Sequence, residues 1–130
     1  MTQCYSTAAV LDSWGPWQIG GLVGANDGAV IRCYSTGSVQ GTDNVGGLVG
    51  YNNDAIHGTV TACFWDTQTS GQATSAGGTG KTTAEMQTAK TFLGAGWDFV
   101  GETKNGTEDI WWIDEGKDYP RLWWELIPEN

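Results

Sequence analysis

The chain has 130 residues, 20 glycines and a formal net charge of −9, which allows one domain with a modest core and argues against a helical bundle. Its six basic residues, Arg32, Lys81, Lys90, Lys104, Lys117 and Arg121, are scattered, so the Lys/Arg cluster that binds phosphate backbones is absent and neither nucleic acid nor an anionic membrane is expected as a partner. No basic segment leads an apolar stretch, and no run approaches the roughly 18 apolar residues of a spanning helix; the export signal of a secreted parent would lie upstream.

Chain order begins with self-similarity. Cys4-Tyr5-Ser6-Thr7-Ala8-Ala9-Val10 is echoed by Cys33-Tyr34-Ser35-Thr36-Gly37-Ser38-Val39. Gly20-Gly21-Leu22-Val23-Gly24 recurs identically as Gly46-Gly47-Leu48-Val49-Gly50, each copy followed by an asparagine, Asn26 and Asn52. A third cysteine segment, Cys63-Phe64-Trp65-Asp66, is a degenerate version, and Gly28-x-Val30-x-x-Cys33 matches Gly58-x-Val60-x-x-Cys63 in offset. The chain thus opens inside a repeat, as expected of a piece of a longer polypeptide.

Short β-rich pieces cut by Gly, Asn, Asp and Ser read as strand, turn, strand. A period near 30 residues with no helical pattern inside it fits one coil of a parallel β-solenoid, so the expected class is all-β. Stacked coils would place Leu22 on Leu48, with backbone ladders roughly 4.8 Å apart. Paired glycines suit corners or close approach between coils. The stack is expected over residues 1–66.

Val45 to Asn52, with Cys33 to Val39 before it, resembles the GLUG motif repeat of large bacterial surface proteins. These include filamentous-haemagglutinin-like adhesins and accessory regions of IgA-cleaving metallopeptidases. The tail resembles the ending of such arrays at Cys63-Phe64-Trp65-Asp66-Thr67, Thr82-Thr83-Ala84-Glu85-Met86, Gly96-Trp97-Asp98-Phe99 and Tyr119-Pro120-Arg121-Leu122. The resemblance implies an extracellular repeat protein, secreted or held at a bacterial cell surface, with no catalytic residues to carry over. The peptidases' His-Glu-x-x-His is absent, and His57 is the one histidine.

Residues 67–81 are rich in Thr, Ser and Gly and read as a loop or linker. Ser75 to Thr82 imitates a phosphate-binding loop, but Ser75 replaces the first glycine and no βαβ unit surrounds it, so the plainer reading is a loop running into a helix. Thr82 and Glu85 form a capping box, and Gly94 closes a helix expected from Thr83 to Leu93, with Met86, Phe92 and Leu93 facing the stack. Asp98–Thr103 and Glu108–Ile113 flank Asn105-Gly106, the strongest short hairpin signal. Asn105-Gly106-Thr107 is also a glycosylation sequon, read here as a turn. Ile110–Ile113 and Arg121–Glu125 suggest a second antiparallel pair. An open stack end exposes strand edges and needs a cap, the role expected of residues 82–130.

Candidate chemistry is sparse. Three cysteines cannot make a disulfide framework. They fall at equivalent positions and are expected as small buried residues in a ladder, with a bridge between neighbouring coils allowed by spacing; zinc would need four ligands. Trp111-Trp112 and Trp123-Trp124 lie on expected strands, where successive side chains take opposite faces. One ring of each pair could be left on a flat sugar-stacking platform, against the plainer reading that both faces are covered. Trp14 and Trp17 sit in an insertion expected at a corner, where they could form an exposed contact or a local plug over the open N-terminal coil. Nine of the fifteen carboxylates follow Trp97, for which solubility is the plainer explanation. Asp114, Glu115 and Asp118 share one loop and could take calcium, off the EF-hand pattern; no other cofactor is implied, and no carboxylate pair is identifiable as catalytic. Three readings follow. The first is a non-enzymatic structural and adhesion module, partnered by upstream repeats, surface glycans or cell-surface proteins. The others are a carbohydrate-binding module and an accessory segment of a secreted peptidase or hydrolase.

Overall fold

Runs of Val, Ile, Tyr and Phe cut by glycine every few positions can make only short strands. The computed structural model, which describes residues 1–11, 18–41, 44–53, 58–100 and 108–126, is built mostly of strands of two to four residues. Contacts divide the chain into Met1–Thr83 and Ala84–Asn130.

In the first unit the strands of one repeat pair, in parallel, with their equivalents in the next. β1 (Tyr5–Ser6), β2 (Val10–Leu11), β3 (Ile19–Gly20) and β4 (Val23–Asn26) belong to the first repeat, and β5 (Ala29–Ile31), β6 (Tyr34–Ser35), β7 (Val39–Gln40), β8 (Val45–Gly46) and β9 (Val49–Asn52) to the second. β10 (Thr59–Thr61) and β11 (Phe64–Asp66) open a third. Tyr5 pairs with Tyr34, Val10 with Val39, Gly20 with Gly46, Val23 with Val49 and Asn26 with Asn52. Val30 pairs with Val60 and Tyr34 with Phe64. Leu22 donates its N–H to the Leu48 carbonyl at 3.0 Å, so the two leucines are neighbours.

The interior follows from that register. Val30, Cys33, Leu48, Val49, Cys63 and Trp65 are buried together, with Cys4, Leu22, Val23 and Val60 packed against them. Tyr5 and Tyr34 stack with ring centroids 5.0 Å apart. Gly47 shows why the motif needs paired glycines: a Cβ there would run into the Trp65 indole.

Residues 67–81 are not a linker. Asp66, fully buried, accepts the N–H groups of Gln68 and Thr69 on Oδ1 and caps a one-turn helix, α1 (Thr67–Ser70). The chain then crosses the second repeat: Gln72 Nε2 donates to the Val39 carbonyl, and Gly47 N–H to Thr74. Ser75 Oγ takes the N–H of Val49 at 2.8 Å. β12 (Thr79–Lys81) then adds to β11 in parallel, Phe64 opposite Thr79, completing a four-stranded sheet in the order β1-β6-β11-β12. The third turn is therefore shortened. The polar residues that look like linker composition instead satisfy backbone groups of the repeat beneath, and the imitation phosphate loop has become the strand that closes the sheet.

The second unit departs from expectation at three places. The single helix is two, α2 (Thr83–Met86) and α3 (Ala89–Leu93), broken at Thr88, which is extended at φ −121°. Met86 and Phe92 are both fully buried. Six residues apart, they would lie about 120° apart around a continuous helix; with the break, both side chains are buried. The expected hairpin about Asn105-Gly106 has its turn outside the described residues. Among the described residues its flanks meet through one parallel bridge, Phe99 to Trp111, rather than an antiparallel ladder. The second antiparallel pair exists but is short: β13 (Trp111–Trp112) against β14 (Arg121–Leu122). Trp123–Leu126 turns into a 3-10 helix because Glu125 Oε2 reaches back to the Leu122 N–H at 2.7 Å, half of a capping box. Phe92, Trp97, Phe99 and Trp111 pack in this unit's core, Trp97 and Trp111 with centroids 4.7 Å apart.

Candidate functional site

Each cysteine follows a residue held in the left-handed region: Gln3 (φ 54°), Arg32 (φ 51°) and Ala62 (φ 54°). The reversal turns the carbonyl two residues before the cysteine toward its thiol. Cys4 Sγ donates to Thr2 O at 3.0 Å, Cys33 to Ile31 O at 3.2 Å and Cys63 to Thr61 O at 3.1 Å. The cysteine is a small corner residue that fills the core and ties off the turn. All three are free thiols. The hydrogen bond with Cys63 and burial push Cys33 far above the usual thiol range; burial and the neighbouring Cys33 raise Cys4. Sequence reasoning missed the positive φ, because Gln, Arg and Ala carry no signal for it.

Asparagine does the equivalent work at the opposite bend. Asn26 Nδ2 donates to Asn52 Oδ1 at 2.9 Å, to Gly28 O and to Thr59 O, while Asn26 Oδ1 accepts the Gly28 N–H. Asn52 Nδ2 donates to Gly58 O. A buried turn that bares carbonyls needs a side chain with donors and an acceptor, and asparagine supplies both.

The four candidate tryptophans separate. Trp111 is fully buried and Trp112 half-buried, whereas Trp123 and Trp124 are 51% and 56% exposed. Strand alternation would have sent Trp123 and Trp124 to opposite faces. On a 3-10 helix adjacent side chains emerge about 120° apart, so Trp123 and Trp124 leave the helix in different directions.

The candidate calcium loop separates as well. Glu115 Oε1 takes the Ala89 N–H at the start of α3. Asp118 grips Arg121 Nε at 2.9 Å. Burial opposes ionisation of Asp118, but the Arg121 hydrogen bond and charge and the Tyr119 N–H outweigh it and hold the carboxyl below its ordinary range. Among the described residues no group of three or more His, Cys, Asp or Glu is gathered to hold a metal ion. None of their helices is long and apolar enough to cross a membrane.

Residues 15–40, which carry the first Gly-Gly-Leu-Val-Gly, match the model of the GLUG motif. The chain carries the GLUG motif. The second copy, Gly46 to Gly50, lies beyond the matched residues, and its strands β8 and β9 pair in register with those of the matched GLUG copy. The chain is similar to a protein of Evansella cellulosilytica whose name describes a Gly-rich membrane protein, 41% identical over 106 residues. It is also similar to Halomucin of Haloquadratum walsbyi, 42% identical over 82 residues. The matches cover 78% and 61% of this chain but 11% and 1% of those relatives, so the chain spans a small part of each. No solved structure matches it.

Proposed function

We propose that Met1–Thr83 is a stretch of parallel β-solenoid with coils of about 30 residues. On this reading it is a non-enzymatic scaffold in a secreted or cell-surface repeat protein, which holds the adhesive parts of a long chain away from the cell. The observation that carries this reading is the in-register stacking of like on like, Tyr5 on Tyr34 and Asn26 on Asn52. Cys33, Asn26, Asn52 and Asp66 are all engaged in holding turns, which suits a spacer better than a catalyst. The relatives, one named for a membrane and both far longer than this chain, support placement in a large extracellular polymer. The test is protease shaving of intact cells that make the parent, followed with antibody to this segment. The epitope should be lost without lysis, and deleting the segment should lower attachment. Cleavage only after lysis contradicts the surface placement; unchanged attachment contradicts the adhesive role.

A second reading is carbohydrate binding by the tail, favoured by the exposure of Trp123 and Trp124. Their divergence points to each ring stacking on its own sugar. A glycan array with wild type, Trp123→Ala and Trp124→Ala tests it: binding lost in either variant supports the reading, and no binding by wild type removes it.

A further inference from the structure

We propose that the open edge of the first repeat is a docking site for one more β-layer of the same repeat type, added in parallel, with its tyrosine over Tyr5, its paired glycines over Gly20 and Gly21 and its asparagine over Asn26. The proposal rests on the stacked-coil reading above and adds a direction, a register and an occupant.

The first observation is a burial step between identical residues. Tyr34, Cys33, Val39, Leu48 and Val49 are each at most 1% exposed. Their first-repeat equivalents Tyr5, Cys4, Val10, Leu22 and Val23 are all only half-buried. Residue type and register are the same, so the difference comes from what lies on the far side. For the second repeat that is the shortened turn and β11; on the far side of the first repeat no strand is paired among the described residues. Met1 and Leu11, 57% and 71% exposed, add apolar surface there.

The second observation is that, among the described residues, the strands of this edge lack the devices that keep strand edges from pairing. β1 to β4 contain no lysine, no proline and no charged residue, whereas edges that stay open are usually blunted by such residues. At the other end β12 finishes in Lys81 and residues 72–76 lie across the second repeat. Asn26 repeats the message in one side chain. Its Oδ1 can take two donors, and among the described residues it accepts Gly28 N–H alone. The equivalent Asn52 Oδ1 receives the Asn26 amide.

The occupant follows from geometry. Four strands joined by bends must be matched at once, which a single peptide strand cannot do. A second copy of this chain could offer only the same edge, and a two-fold contact would run the strands antiparallel and lose the tyrosine and asparagine stacking. A layer with the repeat's own spacing matches every strand.

To test this, a copy of residues 30–58, with the copied Cys33→Ser, is joined directly before Met1, which reproduces the 29-residue offset between Tyr5 and Tyr34. Alkylation of Cys4 under native conditions is followed by peptide mass spectrometry. In the 130-residue chain Cys4 should react faster than Cys33 and Cys63. In the extended chain its rate should fall by roughly tenfold or more, as for an end residue made interior. An extension carrying the copied Leu48→Lys and Val49→Lys should leave Cys4 fast. If Cys33 and Cys63 react as fast as Cys4 in the unextended chain, the stacked reading itself fails. If those two are protected but Cys4 stays fast in the extended chain, docking alone is overturned. Protection of Cys4 that grows with concentration of the unextended chain assigns the edge to a second copy and overturns the proposed occupant.

Discussion

A cysteine after a left-handed residue is the smallest unit on which the stack depends. Ala62 at φ 54° bears a strain that glycine does not. Left-handed backbone costs an L-residue about 1–2 kcal/mol, against roughly 0.5–1 kcal/mol of extra chain entropy that glycine brings to the unfolded state. Ala62→Gly should therefore raise the thermal midpoint slightly, as calorimetry would read, and a clear fall would contradict the corner assignment. Gly47 behaves in the opposite way: the Cβ of Gly47→Ala must displace the Trp65 ring, at about 1–3 kcal/mol for an overpacked core, with a shift in tryptophan emission. Asn26→Leu would strip partners from Gly28 and Thr59 backbone groups, and leaving buried groups unsatisfied costs about 1–3 kcal/mol; urea titration reads it. None of the φ reversals was legible in sequence. The asparagines were legible as repeated positions, but their hydrogen-bonding role emerges only once the strands are in register.

Elements were read best where repetition fixed them and worst where composition misled. Thr67 to Lys81 has linker composition, yet it becomes a turn, a crossing and a strand, because the second repeat's backbone groups need partners and short polar side chains such as Ser75 provide them. Local helix propensity runs through Thr83–Leu93 without interruption, so the break at the extended Thr88 was not legible in the sequence. Trp123 and Trp124 read as strand residues until Glu125 is seen capping the turn. The loop before that turn has a pH dependence with a definite sign. Asp118 ionises more readily folded than unfolded. The stability it contributes is therefore full above the unfolded carboxyl value, about 3.9, and is lost as pH falls through the lower folded value. Its side chain is a third exposed, so the effect is below about 1 kcal/mol. Asp118→Asn should flatten the acid limb of the stability–pH curve measured by near-ultraviolet circular dichroism, and an unchanged acid limb would show the Arg121 clamp to be idle.

On the scale of the whole molecule, the identical Gly-Gly-Leu-Val-Gly segments were enough to foresee that Leu22 would lie by Leu48, because two copies of one apolar pattern can share a core only by stacking. The shortened third turn was not foreseeable, since it repeats nothing. Proximity in sequence brought Asp114, Glu115 and Asp118 into one loop, but Glu115 takes the Ala89 N–H and Asp118 grips Arg121. The central claim is the register, and spin labels on its outer face read it most directly. Ala25 and Tyr51 are paired across β4 and β9 and both exposed. Nitroxides at Ala25→Cys and Tyr51→Cys, in a Cys4→Ser background, should lie one strand spacing apart, about 4.8 Å at the backbone, and show strong dipolar broadening of the continuous-wave spectrum. A spectrum equal to the sum of the two singly labelled chains would contradict the stack.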